Sequence, residues 1–172
     1  MAEDASADRG RALDEPHLQL GRIDEHAVVV NASRANTWRA LRQSVEASRH
    51  GDARRLGARL LGCENTEGNA VPVDRTGATT VGFYVAAVES ERRLELAGAH
   101  RWSRYALIYS LEEASDRAVR LQAETRAEFP GLSGRFYRLL VIDSRLHVLA
   151  IRSTLRSIKQ RAEALQSQSA WT

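Results

Sequence analysis

Two residues in the last third of the chain have the types and the spacing for acid–base chemistry. Asp143 and His147 stand four positions apart in segment 134–165, whose pattern predicts a helix, so their side chains would be neighbours on its surface. In such a pair the carboxylate orients the imidazole, which can then hydrogen-bond a carbonyl or hydroxyl of a ligand. As an acid or base, the imidazole would act on an enolisable compound. Asp143 and His147 are therefore the candidate catalytic residues.

The helical face that carries this pair is otherwise apolar. Its hydrophobic members recur at helical spacing and are Phe136, Leu139, Leu140, Leu146, Ala150, Ile151 and Ile158. A carboxylate on a buried face must be paired or solvated, because burying it alone is costly. Three arrangements are open: the pair satisfies itself, it bonds backbone groups of the first helices, or it projects into a wet cavity and meets a ligand.

Two tyrosines form a second candidate set. Tyr105 and Tyr109 alternate with other residues along a predicted strand and share its apolar face with Leu107. A hydroxyl on that face needs a hydrogen-bond partner or a bound water. Both readings stay open: core tyrosines with their hydroxyls at the rim, or tyrosines that line a pocket. On the preceding strand Phe83 is expected to face inward and Tyr84 outward.

Signatures of other chemistry are absent. The stretch Gly131–Gly134 is one residue short of a G-x-S-x-G elbow, and we interpret it as a turn and a helix cap. The five histidines lack the spacing of a metal site, Cys63 has no partner cysteine, and no glycine-rich phosphate loop follows a strand. We expect no metal and no cofactor.

Composition limits the class of protein. The chain has 172 residues, 43% hydrophobic and 27% charged, which suits one domain with its own core. A single cysteine excludes an internal disulfide framework and favours a reducing cytoplasm. No uncharged stretch is long enough to span a membrane, and the N-terminus lacks the apolar segment of a signal peptide.

The net charge of +3 raises the question of a nucleic-acid partner. A basic stripe follows the outer face of the predicted last helix and consists of Arg138, Arg145, Arg152, Arg156 and Lys159. No aromatic residues interleave with it for base stacking, and a helix packed on one side must be polar on the other. We therefore expect a solvated face, no nucleic-acid partner and no integral membrane contact.

The periodicity along the chain predicts an ordered series of elements. A polar segment over 1–22 is followed by a short β-branched strand from His26, a helix capped by Ser33, and a helix from Asp52 with Leu56 and Leu60 inward. Four strands with a period of two come next, followed by the long helix over 134–165. The predicted strands are Thr79–Ser90, Arg93–Gly98, Trp102–Glu112 and Arg117–Phe129. These strands share one apolar face, which indicates an antiparallel sheet with one side buried. The last helix is expected to cover that side.

This order resembles the helix-grip fold of the START-like (SRPBCC) superfamily over residues 24–163. At the level of motifs, GAHRWSRYALIYSL (98–111) and AETRAEFPGLSGRFYRLLV (123–141) resemble a bacterial, polyketide cyclase-like branch of it. The resemblance implies an α+β domain at 23–165 between tails at 1–22 and 166–172. Its curved antiparallel sheet would wrap around the C-terminal helix. The pattern gives five strands where the superfamily usually has six or seven, so a shortened first hairpin is expected.

The resemblance also implies a cavity for a hydrophobic ligand between sheet and helix. The ligand-binding candidates are Phe83, Tyr105, Tyr109, Thr125, Leu140, Asp143, His147 and Ile151. Our first hypothesis is a binding protein for a lipid or a polyketide-like molecule. The alternatives are a cyclase or aromatase that uses the His147–Asp143 pair without a metal, and an interaction protein whose cavity is filled by its own side chains. The oligomeric state is left open.

Overall fold

The computed structural model describes residues 16–49, 52–131 and 146–169. Within these ranges the chain forms one short 3-10 helix, six strands and three α-helices. In order they are the 3-10 helix Pro16–Gln19, β1 Arg22–Val30, α1 Arg34–Ala47, α2 Asp52–Leu61, β2 Thr79–Thr80, β3 Phe83–Glu89, β4 Arg93–His100, β5 Ser103–Ser115, β6 Ala118–Glu128 and α3 Leu146–Ser169.

The described strands form one antiparallel sheet in the order β1-β6-β5-β4-β3-β2. Its curvature and the helix order give the α+β helix-grip architecture, so the predicted fold class is confirmed. The first strand pairs with the last strand of the meander, which places the start of the described chain beside the end of the meander. Across the centre of the sheet Tyr109 is paired with Leu94 on β4 and with Ala123 on β6.

The alternation predicted for the last strand matches its burial. On β6, Leu121 and Ala123 are fully buried on the inner face, whereas Arg120 and Glu128 are exposed on the outer face. The inner face packs with α1 and α3 into a single core, in which Leu41 and Ile158 are also fully buried. This two-sided pattern follows from the period of two in the sequence.

The first predicted meander strand is divided in the structure. Thr79–Ser90 was expected to be continuous, but β2 ends at Thr80 and β3 begins at Phe83. Gly82 between them has φ +84°, a left-handed conformation that interrupts an extended strand and that glycine adopts without strain. The strand count is therefore six rather than five, and the first hairpin is short, as the sequence indicates.

The helix α2 faces another way than predicted. Leu56 and Leu60, expected to point inward, are 60% and 70% exposed, whereas Ala58 and Leu61 line a cavity against the sheet. A ten-residue helix with leucines on two sides offers two apolar faces, and spacing alone does not choose between them. The face turned inward is the one that carries the small, buried Ala58.

The described secondary structure extends beyond both predicted boundaries. Residues 16–19, assigned to an N-terminal tail over 1–22, form the 3-10 helix, whose Leu18 is 6% exposed. At the other end α3 continues to Ser169, past the tail boundary at 166. Residues 132–145, which hold the first part of the predicted helix 134–165, lie outside the described residues. None of the helices in the described part of the chain combines the length and apolarity that a membrane span requires.

Candidate functional site

A cavity of about 560 Å³ lies between the inner face of the sheet and the helices α1, α2 and α3. Most of its wall is apolar. The sheet contributes Leu96 and Leu107, α2 contributes Ala58 and Leu61, and α3 contributes Ile151. From α2, the small residues Gly57 and Ala58 are part of this wall.

Six of the eight predicted ligand-binding residues line this cavity. They are Phe83, Tyr105, Tyr109, Thr125, His147 and Ile151. The other two, Leu140 and Asp143, lie outside the described residues. On β3, Phe83 is turned into the cavity while Tyr84 lies on the opposite side of the sheet and is 36% exposed. The structure therefore brings the six together in space, and their contact with a ligand stays a prediction.

His147 has a carboxylate partner that sequence reasoning missed. Its Nε2 lies 2.6 Å from Oδ2 of Asp24 on β1, and the same oxygen is 3.3 Å from Nε2 of His26. The three side chains are 14–17% exposed. The predicted orienting role of Asp143 cannot be compared directly, because that residue is outside the described part of the chain. A weak signal was present: Asp24 and His26 alternate with Val28 and Val30 on the inner face of β1.

The Asp24–His147 pair has a defined hydrogen-bond direction. An ionised Asp24 accepts a hydrogen bond from Nε2 of His147, so a neutral imidazole carries its proton there and keeps the lone pair on Nδ1. That Nδ1 is buried and has no hydrogen-bond partner, and the same is true of Oγ1 of Thr125, which is paired with Asp24 across β1 and β6. Such an arrangement can accept a proton at Nδ1, with Asp24 stabilising the resulting imidazolium.

The tyrosines differ in how their hydroxyls are used. Tyr105 donates a hydrogen bond to the carbonyl oxygen of Gly82 at 2.6 Å, and its ring packs edge-on against Phe83 with centroids 5.1 Å apart. Tyr109 is 3% exposed, and burial raises the pKa of its hydroxyl above the usual range. Tyr109 is therefore a neutral phenol at physiological pH.

His100 forms part of the cavity wall next to Tyr105, with ring centroids 5.5 Å apart. The backbone N–H of Trp102 donates to its Nδ1 at 3.2 Å, and burial lowers the pKa of His100 below its usual value. Both effects favour a neutral ring that carries its proton on Nε2. At neutral pH this side of the cavity wall therefore holds no imidazolium charge.

Solved structures with the same architecture support the assignment of the fold. Norcoclaurine synthase from Thalictrum flavum aligns with a TM-score of 0.52 and 10% identity, over 80% of this chain and 83% of that chain. The chain has the helix-grip fold. A point mutant of the same enzyme in complex with a transition-state analogue gives 0.52 and 11% identity over 84% and 97%. Ara h 8.0201 gives a TM-score of 0.50 and 12% identity over 84% and 97%.

At these identities the likeness extends to the fold alone, and at that level the START-like resemblance drawn from the sequence is confirmed. No protein-family model matches the chain, and no curated protein matches it either. The helix-grip architecture therefore specifies where a cavity lies, and the residues around that cavity must carry any argument about its occupant.

Proposed function

We propose that this helix-grip protein binds a hydrophobic or amphipathic small molecule, lipid-like or polyketide-like, in the cavity between the sheet and α3. The observation that carries the proposal is the cavity of about 560 Å³ with a mainly apolar wall. Cavities of roughly 300–1,000 Å³ with a few placed polar groups are typical of small-molecule sites. An interaction protein whose side chains fill the interior would lack such a volume, so the cavity favours the binding hypothesis over that alternative.

The first test is native mass spectrometry of the protein purified from its host, compared with a denatured sample. We expect a mass excess in the native spectrum that disappears on denaturation. Two variants of neighbouring residues make the test specific. Leu61→Trp places a large ring in the cavity wall and should remove the excess mass, while Leu60→Trp adds the same ring at a position that is 70% exposed and should retain it.

Retention of the full mass excess by L61W would contradict binding in this cavity. Absence of any excess in the wild-type protein, together with failure to take up an added apolar fluorophore such as pyrene, would contradict the proposal as a whole. Equal behaviour of L60W and wild type is required for either conclusion, because it shows that an added tryptophan on α2 does not itself disturb the fold.

A second candidate function is acid–base catalysis on the bound molecule by His147, in a cyclase-like or aromatase-like reaction. The contact of 2.6 Å between His147 and Asp24 favours it, because a carboxylate that orients an imidazole is a recurrent arrangement in general acid–base catalysis. Norcoclaurine synthase, an enzyme of this fold, supplies a precedent for chemistry in the architecture.

The catalytic candidate predicts that binding and turnover separate. His147→Gln should abolish conversion of the co-purified molecule, followed by NMR, and leave its Kd within a few-fold of wild type. Loss of binding and turnover by the same factor would contradict a catalytic role. Asp24→Asn, at the positioning residue, should lower the turnover number and shift the pH dependence of the rate while His147 is still present.

A further inference from the structure

The hydroxyl of Tyr109 is a polar group of the cavity wall that the His147–Asp24 pair does not use. Tyr109 lies on the inner face of β5, lines the cavity and is 3% exposed. Within the described part of the chain no residue hydrogen-bonds this hydroxyl, and it is not among the fully enclosed polar atoms either. The hydroxyl of Tyr105 on the same face, in contrast, donates to Gly82. One tyrosine is therefore satisfied by the protein, and the other is not.

The neighbours of Tyr109 within the sheet cannot satisfy it. Its pairing partners are Leu94 on β4 and Ala123 on β6, both fully buried and without a polar side chain. A hydroxyl needs a hydrogen-bond partner, and the cavity that the ring borders is where Tyr109 can find one.

The chemistry of this hydroxyl defines its partner. Burial raises the pKa of Tyr109, so the group stays protonated and acts as a hydrogen-bond donor at neutral pH. A protonated hydroxyl can donate to an acceptor atom of the partner, such as a carbonyl or hydroxyl oxygen. The surrounding wall is apolar, with Leu96, Leu107 and Ile151 among its members, so the rest of the partner must be apolar.

We propose that the Tyr109 hydroxyl donates a hydrogen bond to a carbonyl or hydroxyl oxygen of the bound molecule and thereby selects oxygenated ligands over pure hydrocarbons of the same shape. The inference rests on the proposed function, because it requires that the cavity binds an apolar molecule. It adds the orientation of that molecule: its oxygen faces the centre of β5, and its hydrocarbon part lies toward Leu61 of α2 and Ile151 of α3.

The test uses two fluorescent probes of similar shape, pyrene and 1-pyrenecarboxaldehyde, titrated into wild type, Tyr109→Phe and Tyr105→Phe. We expect Y109F to weaken binding of the aldehyde about fivefold, the effect of one net hydrogen bond, and to leave the affinity for pyrene unchanged. Y109F should also change the emission of the bound aldehyde, which responds to hydrogen bonding at its carbonyl. Y105F is the matched control and should not alter the ratio of the two affinities, because its hydroxyl is already bonded to Gly82.

The outcomes separate this inference from the function on which it rests. If wild type binds pyrene and Y109F changes both affinities by the same factor or changes neither, the hydrogen-bonding role of Tyr109 is wrong, and the cavity remains a binding site. If wild type binds neither probe, both proposals fail. Y109F removes a hydroxyl that has no protein partner, so the variant should fold like wild type, and an unchanged thermal transition checks this directly.

Discussion

A single glycine on β4 allows the sheet to close against the β2–β3 turn. A Cβ at Gly98 would overlap the carbonyl oxygen of Gly82 and lie 2.8 Å from Cε2 of Tyr105. The same carbonyl accepts the hydrogen bond from the Tyr105 hydroxyl at 2.6 Å. The Gly82 carbonyl and the Tyr105 ring therefore both lie against Gly98, and position 98 has no room for a side chain.

Replacing this glycine should therefore destabilise the fold strongly. We expect Gly98→Ala to lower the free energy of unfolding by about 3 kcal/mol, the upper range for overpacking a core, because the clash involves a backbone atom. Gly57→Ala on α2 is the control: no atom lies within 4 Å of its Cβ position, and helix propensity predicts a gain of about 0.5–1 kcal/mol. Urea unfolding measures both, and a G98A variant as stable as wild type would contradict the argument.

For single residues of the sheet, local periodicity predicted which face a side chain lies on better than it predicted which residue the side chain contacts. Phe83, Tyr105 and Thr125 lie on the inner face as the period of two indicates. The partner of His147 was missed because Asp24 is 123 positions away in sequence, and only strand pairing brings it near. Asp24 also stands at the edge of the segment predicted as a polar tail, where a carboxylate gives no signal of burial.

Among the elements, the C-terminal half of α3 is tied to the β1–α1 turn by polar contacts. Oε1 of Glu163 accepts a hydrogen bond from the backbone N–H of Asn31 at 2.9 Å. Lys159 Nζ lies 3.1 Å from the same carboxylate oxygen and donates to the carbonyl oxygen of Val29 at 2.6 Å. Oε1 of Gln166 accepts from the backbone N–H of Ser33 at 2.9 Å. These contacts set the position of the helix that forms one wall of the cavity.

The Glu163 contact predicts a pH-dependent contribution to stability. The hydrogen bond from Asn31, with help from Lys159, lowers the pKa of Glu163 in the folded state. The stabilisation is therefore present above the unfolded-state pKa and is lost as the pH falls through the lower folded-state value. Glu163→Gln should cost less than about 1 kcal/mol at pH 7, since the side chain is partly exposed.

Urea unfolding of wild type and E163Q at several pH values tests this prediction. The difference between the two proteins should shrink as the solution becomes acidic and should vanish once the carboxyl is protonated in both states. A difference that is independent of pH would mean that the charge of Glu163 has no part in holding α3.

The N-terminal 3-10 helix covers a charged group on the outer face of the sheet. Glu95 on β4 is fully buried. Its neighbours in sequence, Leu94 and Leu96, are apolar and lie on the other face of the sheet. Its Oε2 lies 2.6 Å from Nε2 of His17, and its Oε1 lies 2.6 Å from Nε of Arg93. The 3-10 helix is therefore held by the hydrogen bond between His17 and this carboxylate as well as by burial of Leu18.

Removing this charge should destabilise the domain. Glu95→Gln is expected to lower the free energy of unfolding by about 3 kcal/mol, the low end for breaking a buried ion pair, because Arg93 still reaches solvent. Glu112→Gln, at an exposed position on β5, should have an effect within about 0.5 kcal/mol. Thermal unfolding compares the two, and equal transitions would show that the Glu95 contacts add nothing.

The types of the elements could be predicted because hydrophobic residues recur with a different period in helices and in strands. The exact ends of the elements and the way they pack against one another required tertiary information. The break at Gly82 depends on a turn that closes against Gly98, which no local pattern encodes. Leu56 and Leu60 are exposed because α2 turns its other face, with Ala58 and Leu61, toward the cavity. The 3-10 helix was missed because its anchor, Glu95, belongs to a distant strand.

For the molecule as a whole, an internal volume of about 560 Å³ links stability to occupancy. A ligand that binds only the folded state stabilises it by RT ln(1 + [L]/Kd), about 2.7 kcal/mol at a hundredfold excess over Kd. We expect saturating 1-pyrenecarboxaldehyde to raise the Tm of wild type by several degrees and to leave that of L61W unchanged. A thermal shift of equal size in both proteins would indicate binding elsewhere on the surface.

The borders of the sheet bear on how the protein behaves at high concentration. Unpaired strand edges recruit strands from other chains, and proteins protect them with short strands or with charged side chains. Here one border is β2, only two residues long. At the other border, Lys159 and Glu163 occupy the carbonyl of Val29 and the N–H of Asn31. The contacts that hold the last helix therefore also cover the C-terminal end of this border, where a strand of another copy could otherwise pair.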